Sequence, residues 1–229
     1  MVRIVMMTFI LVQLILSTLT YYRFLEHADP LLKVTIIPRT SGALGYAQYL
    51  PKEVFLRTQE QIMDYVCMAL AGRAAEEIFF GSVTTGASND LDKVTQLVYG
   101  LIQNYGMNSR VGQLSFESDG SNAPWEKPYS EATAQAMDEE ARMIVDKAYE
   151  RTLDLLKSKK EELEKVSALL LEKEVIDHND MIDILGNRPF KGDKAYEEFV
   201  NTQLEKSSGG DEKEEDEGKK LDGTIPGLA

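Results

Sequence analysis

Residues 71–90 read AGRAAEEIFFGSVTTGASND and connect the end of one predicted helix to the start of another. The first helix is expected to end at Gly81, because glycine commonly occupies the left-handed position after a last helical turn. Glu76 and Glu77 form an acidic pair close to that end. The polar turn that follows places Asp90 in the first turn of the second helix, where a carboxylate complements the helix dipole. Features of this kind also occur at ordinary solvated helix ends, so their meaning depends on the surrounding sequence.

The two helices that flank this stretch are indicated by apolar residues at helical spacing. Thr58 and Gln61 form a capping-box pattern at the start of the first helix. Cys67 lies inside that helix, where a small buried thiol is its expected role. The second helix is expected to stop at Gly106. The apolar faces consist of Ile62, Val66, Ala69, Leu70 and Ile78 in the first helix, and of Leu91, Val94, Val98, Leu101, Ile102 and Tyr105 in the second.

The region after Ser130, a predicted N-cap, is also helical. A Lys-Ser-Lys-Lys segment at 157–160 is expected to divide it, and the pattern fits either a helical hairpin or one long bent helix. The apolar faces around Leu155, Leu163 and Leu170 indicate contacts with neighbouring subunits, or else they close the core of the domain itself. A last short helix, capped by residues 177–180, is expected to end at Gly186.

Two short strands precede the helices. LKVTIIP at 32–38 and GYAQYL at 45–50 predict a β-hairpin or a small sheet edge, with too few strands for a sheet-based core. The expected fold class is therefore mainly α, a helical domain that carries a small β-hairpin or sheet edge.

Both ends of the chain differ in composition from this middle part. Residues 4–22 contain no charged side chain and would span about 28 Å as a helix, which predicts a transmembrane segment. A secretory signal, a buried helix and an artefactual N-terminus are the alternatives. From Glu205 the chain is rich in glycine, serine and charge, which predicts a disordered acidic tail. The expected organisation is an apolar segment at 1–23, a domain at 24–200 and the acidic tail at 201–229.

Composition excludes some function classes for this chain. The 229 residues contain 25 Lys and Arg against 38 Asp and Glu, for a net charge of −13. That sign argues against nucleic acid as the main partner, because phosphate binding requires clustered cations. Cys67 is the single cysteine, so no internal disulfide can form. His27 and His178 are the two histidines, and His178 lies among helix-capping residues, where a solvated loop position is expected.

Taken together, five segments resemble the peptidase domain of FtsH-type AAA zinc metalloproteases. In detail they are most similar to the mitochondrial m-AAA, paraplegin-like branch of that family. The resemblance extends from about Phe24 to Val200. The segments are FLEHADPLLKVTIIPR at 24–39, LGYAQYLPKE at 44–53, AGRAAEEIFFG at 71–81, TTGASNDLDKVTQ at 84–96 and KPYSEATA at 127–134.

The resemblance implies a site and a reaction. The family hydrolyses peptides with a zinc-activated water, using two histidines and a glutamate from an H-E-x-x-H helix. Asp90 matches the third zinc ligand, and Glu76 matches an acid that acts behind a ligand histidine. Val34, Thr35, Ile36 and Ile37 match an exposed strand edge that pairs with extended substrate.

The resemblance also implies the setting in which the family works. It implies a homo- or hetero-hexameric m-AAA complex in the mitochondrial inner membrane, which processes unfolded or membrane proteins. ATP would act only through an AAA module. The apolar segment 4–22 would anchor the chain in the membrane.

The chain departs from the family pattern where the first two zinc ligands are expected. Counting back from FLEHADP places Leu14, Ile15 and Thr18 at the positions of His, Glu and His. The sequence also contains no G-x-x-x-x-G-K-[ST], so no ATPase module is visible. Three interpretations follow: a truncated or mis-joined copy of an active endopeptidase, a membrane-tethered pseudo-peptidase, or a purely structural helical domain. Under each of them the chain by itself is expected to be inert.

Overall fold

The computed structural model of the chain divides it into two compact units, Met1–Lys191 and Gly192–Ala229. The predicted apolar segment at 4–22 and the predicted acidic tail at 201–229 lie outside the residues that the structure describes. Every described residue belongs to the first unit. These residues are 25–27, 31–37, 46–49, 56–116, 128–186 and 190.

Helices dominate the described part of the chain, which confirms the prediction of a mainly α fold with a small sheet. The helices are α1 at Gln59–Phe80, α2 at Ser88–Gln103, α3 at Glu131–Ser158, α4 at Lys160–Lys173 and α5 at His178–Leu185. The strands are β1 at Leu31–Thr35, β2 at Tyr46–Tyr49 and β3 at Val175–Asp177, and a 3-10 turn occupies Thr85–Ala87. Among these helices none is long and apolar enough to cross a membrane.

Local capping determines where α1 and α3 begin and where α1 ends, as the sequence predicts, whereas α2 ends at Gln103 and not at the predicted Gly106. The Thr58 N–H donates to the Gln61 side chain at 2.9 Å, and the Gln61 N–H donates to Thr58 Oγ1 at 3.3 Å. These two bonds complete the capping box of α1. Ser130 is the N-cap of α3, and its backbone is extended like that of Thr58. Gly81 ends α1 with φ at 64°, a left-handed conformation in which glycine carries no Cβ penalty.

The main core lies where α1, α2 and α3 pack against one another. Cys67 is 2% exposed, which confirms its predicted burial. Tyr105, predicted on the apolar face of α2, is instead exposed, because α2 ends at Gln103 and the chain turns away. The buried members of this core are Leu25, Ile62, Val66, Cys67, Leu70, Val94, Val98, Leu101, Ile102, Met137, Ala141 and Ala148.

The break between α3 and α4 falls at Lys159, inside the predicted 157–160 segment. The two helices have different partners, because α3 packs on α1 and α2 whereas α4 packs on α5 and β3. Leu163 and Leu170 are buried within the chain itself. They therefore offer no free apolar face to a neighbouring subunit, and the alternative prediction, closure of the domain's own core, is correct for them.

The sheet corrects the prediction of an exposed edge at residues 34–37. Its strand order is β2-β1-β3, and β1 pairs antiparallel with both neighbours, so β1 is the central strand of the described sheet. Val34 lies opposite Ala47 on one side and Ile176 on the other. Thr35 is likewise paired on both sides, and the N–H of Ile36 donates to the carbonyl of Glu174 at 3.0 Å.

Ile37 also lies outside any free edge, although its side chain is exposed. It follows the end of β1, and its N–H donates to Thr35 Oγ1 at 3.1 Å rather than pointing to an open strand position. Within the described sheet, β1 therefore has no free edge for an extended peptide, because β2 and β3 occupy its two sides.

Candidate functional site

Glu76 lies near the end of α1 and is completely buried, with 0% of its surface exposed. Both of its carboxylate oxygens accept a hydrogen bond from the same residue, Thr84. The Thr84 N–H donates to Oε2 at 2.7 Å, and the Thr84 hydroxyl donates to Oε1 at 2.9 Å. A carboxylate removed from water needs such donors, because an unpaired buried charge is costly. Glu76 thus binds the connection between α1 and α2.

The connection itself is a capped 3-10 turn. Thr84 precedes it, and Thr84 Oγ1 accepts a bond from the N–H of Gly86 at 3.3 Å. The N–H of Ser88 then donates to the carbonyl of Thr85. Ala87, the last residue of the turn, is buried, and it occupies the N-cap position of α2 without any side-chain capping bond. The start of α2 therefore depends on this turn rather than on a cap of its own.

Asp90 lies in the first turn of α2, as the sequence predicts. Its side chain is 45% exposed and pairs with Lys93 on the same helix at 3.2 Å. Both partners are half-exposed, so this ion pair contributes little to stability and can be exchanged for another partner. Asp90 and Glu76 are connected through Thr84 and the turn, which brings the two predicted site residues into one structural unit.

Glu77 faces a different partner from Glu76. It accepts a 2.6 Å hydrogen bond from the hydroxyl of Tyr149, which lies on α3. Burial of the phenol, and next the bond to the Glu77 carboxylate, raise the pKa of Tyr149 to about 12. Sequence reasoning identified neither Tyr149 nor Thr84. The capping preference of threonine could have indicated Thr84, whereas nothing local to Tyr149 indicates its partner.

Of the two histidines, the structure describes the side chain of His27. His27 lines a cavity of about 560 Å³ together with Asp64 and Arg151. Nothing is described of the His178 side chain, although its backbone begins α5. Within the described residues, no group of three or more His, Cys, Asp or Glu side chains is placed to hold a metal ion.

Comparison with known proteins assigns this arrangement of acids and turn to a family. Residues 20–184 match peptidase family M41. The chain belongs to this family. The assignment confirms the resemblance that the five sequence segments indicated.

Individual relatives of this M41 chain include mitochondrial proteases. It is 59% identical to the mitochondrial inner membrane m-AAA protease component AFG3L2 of Mus musculus over 178 residues, which are 77% of this chain and 22% of that protein. It is 51% identical to the mitochondrial ATP-dependent zinc metalloprotease FTSH 3 of Oryza sativa over 168 residues, 73% of this chain and 21% of that protein. The chain thus spans about a fifth of the length of these curated relatives.

The names of these relatives imply zinc, so the donor set of the M41 chain can be tested against it. A catalytic zinc takes three protein ligands and a water. Asp90 is the one predicted ligand among the described residues, and no three suitable side chains meet there. The sequence also contains no His-x-x-x-His pair. The described residues therefore do not by themselves complete a catalytic zinc site.

Proposed function

We propose that this chain is a proteolytic-domain portion of an ATP-dependent zinc metalloendopeptidase of the m-AAA type, and that the 229 residues alone hydrolyse no peptide. The observation that carries this proposal is the Asp90 carboxylate. It is half-exposed at the start of α2, and the turn that precedes it is bonded to the buried Glu76. Asp90 would supply the third zinc ligand, while the two histidines and the general-base glutamate would come from elsewhere.

The names of the relatives support a setting for this activity. They are components of a mitochondrial inner membrane m-AAA protease and mitochondrial zinc metalloproteases. We therefore place the chain at the mitochondrial inner membrane, in a homo- or hetero-hexamer that acts on unfolded or membrane proteins. ATP would act through a module that the 229 residues do not contain, and the apolar segment 4–22 would anchor the chain.

A second candidate function is a non-catalytic pseudo-peptidase or assembly subunit of the same complex. The observation that favours it is the identity of Leu14, Ile15 and Thr18, which stand where the family motif has His, Glu and His. None of these side chains can bind zinc or transfer a proton at neutral pH. The folded α1–α2 unit with its exposed Asp90 would then take part in assembly without hydrolysis.

Zinc content and proteolysis of the purified chain test the first proposal. Elemental analysis should find less than stoichiometric zinc, and an unfolded casein-like substrate should remain intact. Stoichiometric zinc with chelator-sensitive cleavage would show that other ligands exist. Direct sequencing of the N-terminus of the natural protein separates a mis-joined copy from a genuine pseudo-peptidase.

A graft tests the assignment of Asp90. Replacing residues 14–23 by a family-type H-E-A-G-H helix should restore zinc binding, and Asp90→Ala should then remove it. The matched control is Asp92→Ala, which removes an exposed acid from the same helix two residues away. If the graft binds zinc equally well with Asp90→Ala and with Asp92→Ala, Asp90 is not a ligand.

A further inference from the structure

Thr84 is the residue through which the buried Glu76 carboxylate contacts the α1–α2 connection. We propose that Thr84 is a positioning residue for Asp90, holding the 3-10 turn so that the first turn of α2 presents this carboxylate in one place. The proposal deepens the proposed function, since it rests on the role given there to Asp90. It assigns to Glu76 an action through the turn.

The buried Glu76 carboxylate favours one conformation of the α1–α2 connection. Glu76 is fully buried, and its two oxygens accept bonds from the amide and the hydroxyl of Thr84. Within the described residues no cation pairs with it. Two bonds from one residue determine both the position and the orientation of Thr84. Any other conformation of the connection would leave a buried charged group without donors, which costs more than an unmade bond between neutral groups.

Thr84 is connected to the start of α2 through the 3-10 turn. The Thr84 hydroxyl donates to Glu76 and accepts from the N–H of Gly86, so its rotation is restricted from both sides. The turn Thr85–Ala87 then runs directly into α2, which has no side-chain capping bond of its own. No unstructured residue separates Thr84 from Asp90. A change at Thr84 should therefore be transmitted to the backbone of Asp90.

Asp90 itself is half-exposed. Its side chain is 45% exposed, and its ion-pair partner, Lys93, lies on the same helix. Packing therefore does not hold the Asp90 carboxylate in place. The position of the α2 backbone sets the region that this side chain can reach. The conformation of the preceding turn consequently controls the placement of Asp90 more strongly than its own contacts do.

Amide hydrogen exchange of the full 229-residue chain tests the proposal. Thr84→Val keeps the shape and the N–H but removes the hydroxyl, and Thr84→Ser keeps the hydroxyl. Exchange of the amides at 84–90 should rise about tenfold or more in the Val variant, as expected for losing a bond to a charged acceptor, and should return to the original rate in the Ser variant. Thr95→Val is the matched control, because it removes an exposed hydroxyl that bonds within α2.

The side-chain carboxyl carbon signal of Asp90, followed by NMR, reports on positioning directly. It should shift or broaden in Thr84→Val and match the unmodified chain in Thr84→Ser and Thr95→Val. Unchanged exchange and an unchanged Asp90 signal in the Val variant would overturn the proposal. If Thr84→Val does not fold, amide exchange of the unmodified chain is the test. The proposal requires that the Gly86 amide be protected as strongly as the amides inside α2.

These measurements require neither zinc nor hydrolysis. Finding that the grafted chain binds no zinc would count against the proposed function and leave the positioning result intact. Finding no coupling between Thr84 and Asp90 would remove the positioning role while the zinc experiment stands.

Discussion

Asp64 and Arg151 connect α1 to α3, and replacing each in turn should have unequal effects on stability. Arg151 donates to Asp64 Oδ1 at 3.1 Å; the Asp64 side chain is 9% exposed and the Arg151 side chain is 54% exposed. Arg151→Met keeps most of the apolar stem and removes the guanidinium, so a nearly buried carboxylate loses its partner. Asp64→Asn removes the buried charge and leaves an arginine that water can solvate.

The distance and the exposures determine how large a change in the free energy of unfolding we expect. At 3.1 Å and an effective dielectric constant of 20, the Coulomb attraction is about 5 kcal/mol. Solvent around the exposed guanidinium and the desolvation of Asp64 offset most of it. We expect Arg151→Met to lower the free energy of unfolding by about 2 kcal/mol, because a buried charge is left unpaired. Asp64→Asn should lower it by about 1 kcal/mol or less.

Urea unfolding followed by circular dichroism measures these changes, with the double variant completing the cycle. The double variant Asp64→Asn, Arg151→Met should be more stable than Arg151→Met alone, because no unpaired charge remains. Lys93→Met is the control: it removes an ion pair whose side chains are 47% and 45% exposed, and it should change stability by less than about 0.5 kcal/mol. Equal losses for the two single variants, or strict additivity in the double variant, would refute the reasoning.

Three further changes test other parts of the structure. Glu174 has φ at 60° after α4, so Glu174→Gly should raise the free energy of unfolding by about 1 kcal/mol in urea unfolding. Leu70 is 2% exposed in the main core, and Leu70→Ala should lower the thermal midpoint and cost about 3 kcal/mol. The pKa of Tyr149 is raised to about 12, so its stabilising effect is complete below about pH 10 and is lost as pH rises towards 12. The stability difference between the unmodified chain and Tyr149→Phe, about 1 kcal/mol at pH 8 after allowing for solvent screening, should vanish over that range.

The sequence predicted both ends of α1 because their causes are local. The capping box of Thr58 and Gln61 and the left-handed Gly81 involve residues at most a few positions apart. β3 was missed for the opposite reason. It is a three-residue strand, Val175–Asp177, and it is stabilised by pairing with a strand more than a hundred residues earlier in the chain. Missing it led directly to the wrong assignment of β1 as an exposed edge.

The sequence predicted part of the candidate site. The contacts that it did not predict join residues that are separated along the chain. Asp90 was placed in the first turn of α2 from its local sequence, and the structure agrees. The bond from Tyr149 to Glu77 joins residues 72 positions apart, which no local pattern reveals. The bond from Thr84 to Glu76 spans 8 positions and crosses the end of α1, so helical periodicity gives no indication of it.

Helix geometry explains why the adjacent acids Glu76 and Glu77 have separate roles. Successive residues on an α-helix point about 100° apart, so the two carboxylates face different neighbours. Glu76 points into the interior and binds Thr84 in the connection, whereas the exposed Glu77 faces α3 and binds Tyr149. Glu76 thus stabilises the turn that leads to Asp90. Glu77 connects α1, the helix before this turn, to α3. An acid at only one of the two positions would leave either the turn or the packing of α1 on α3 without its bond.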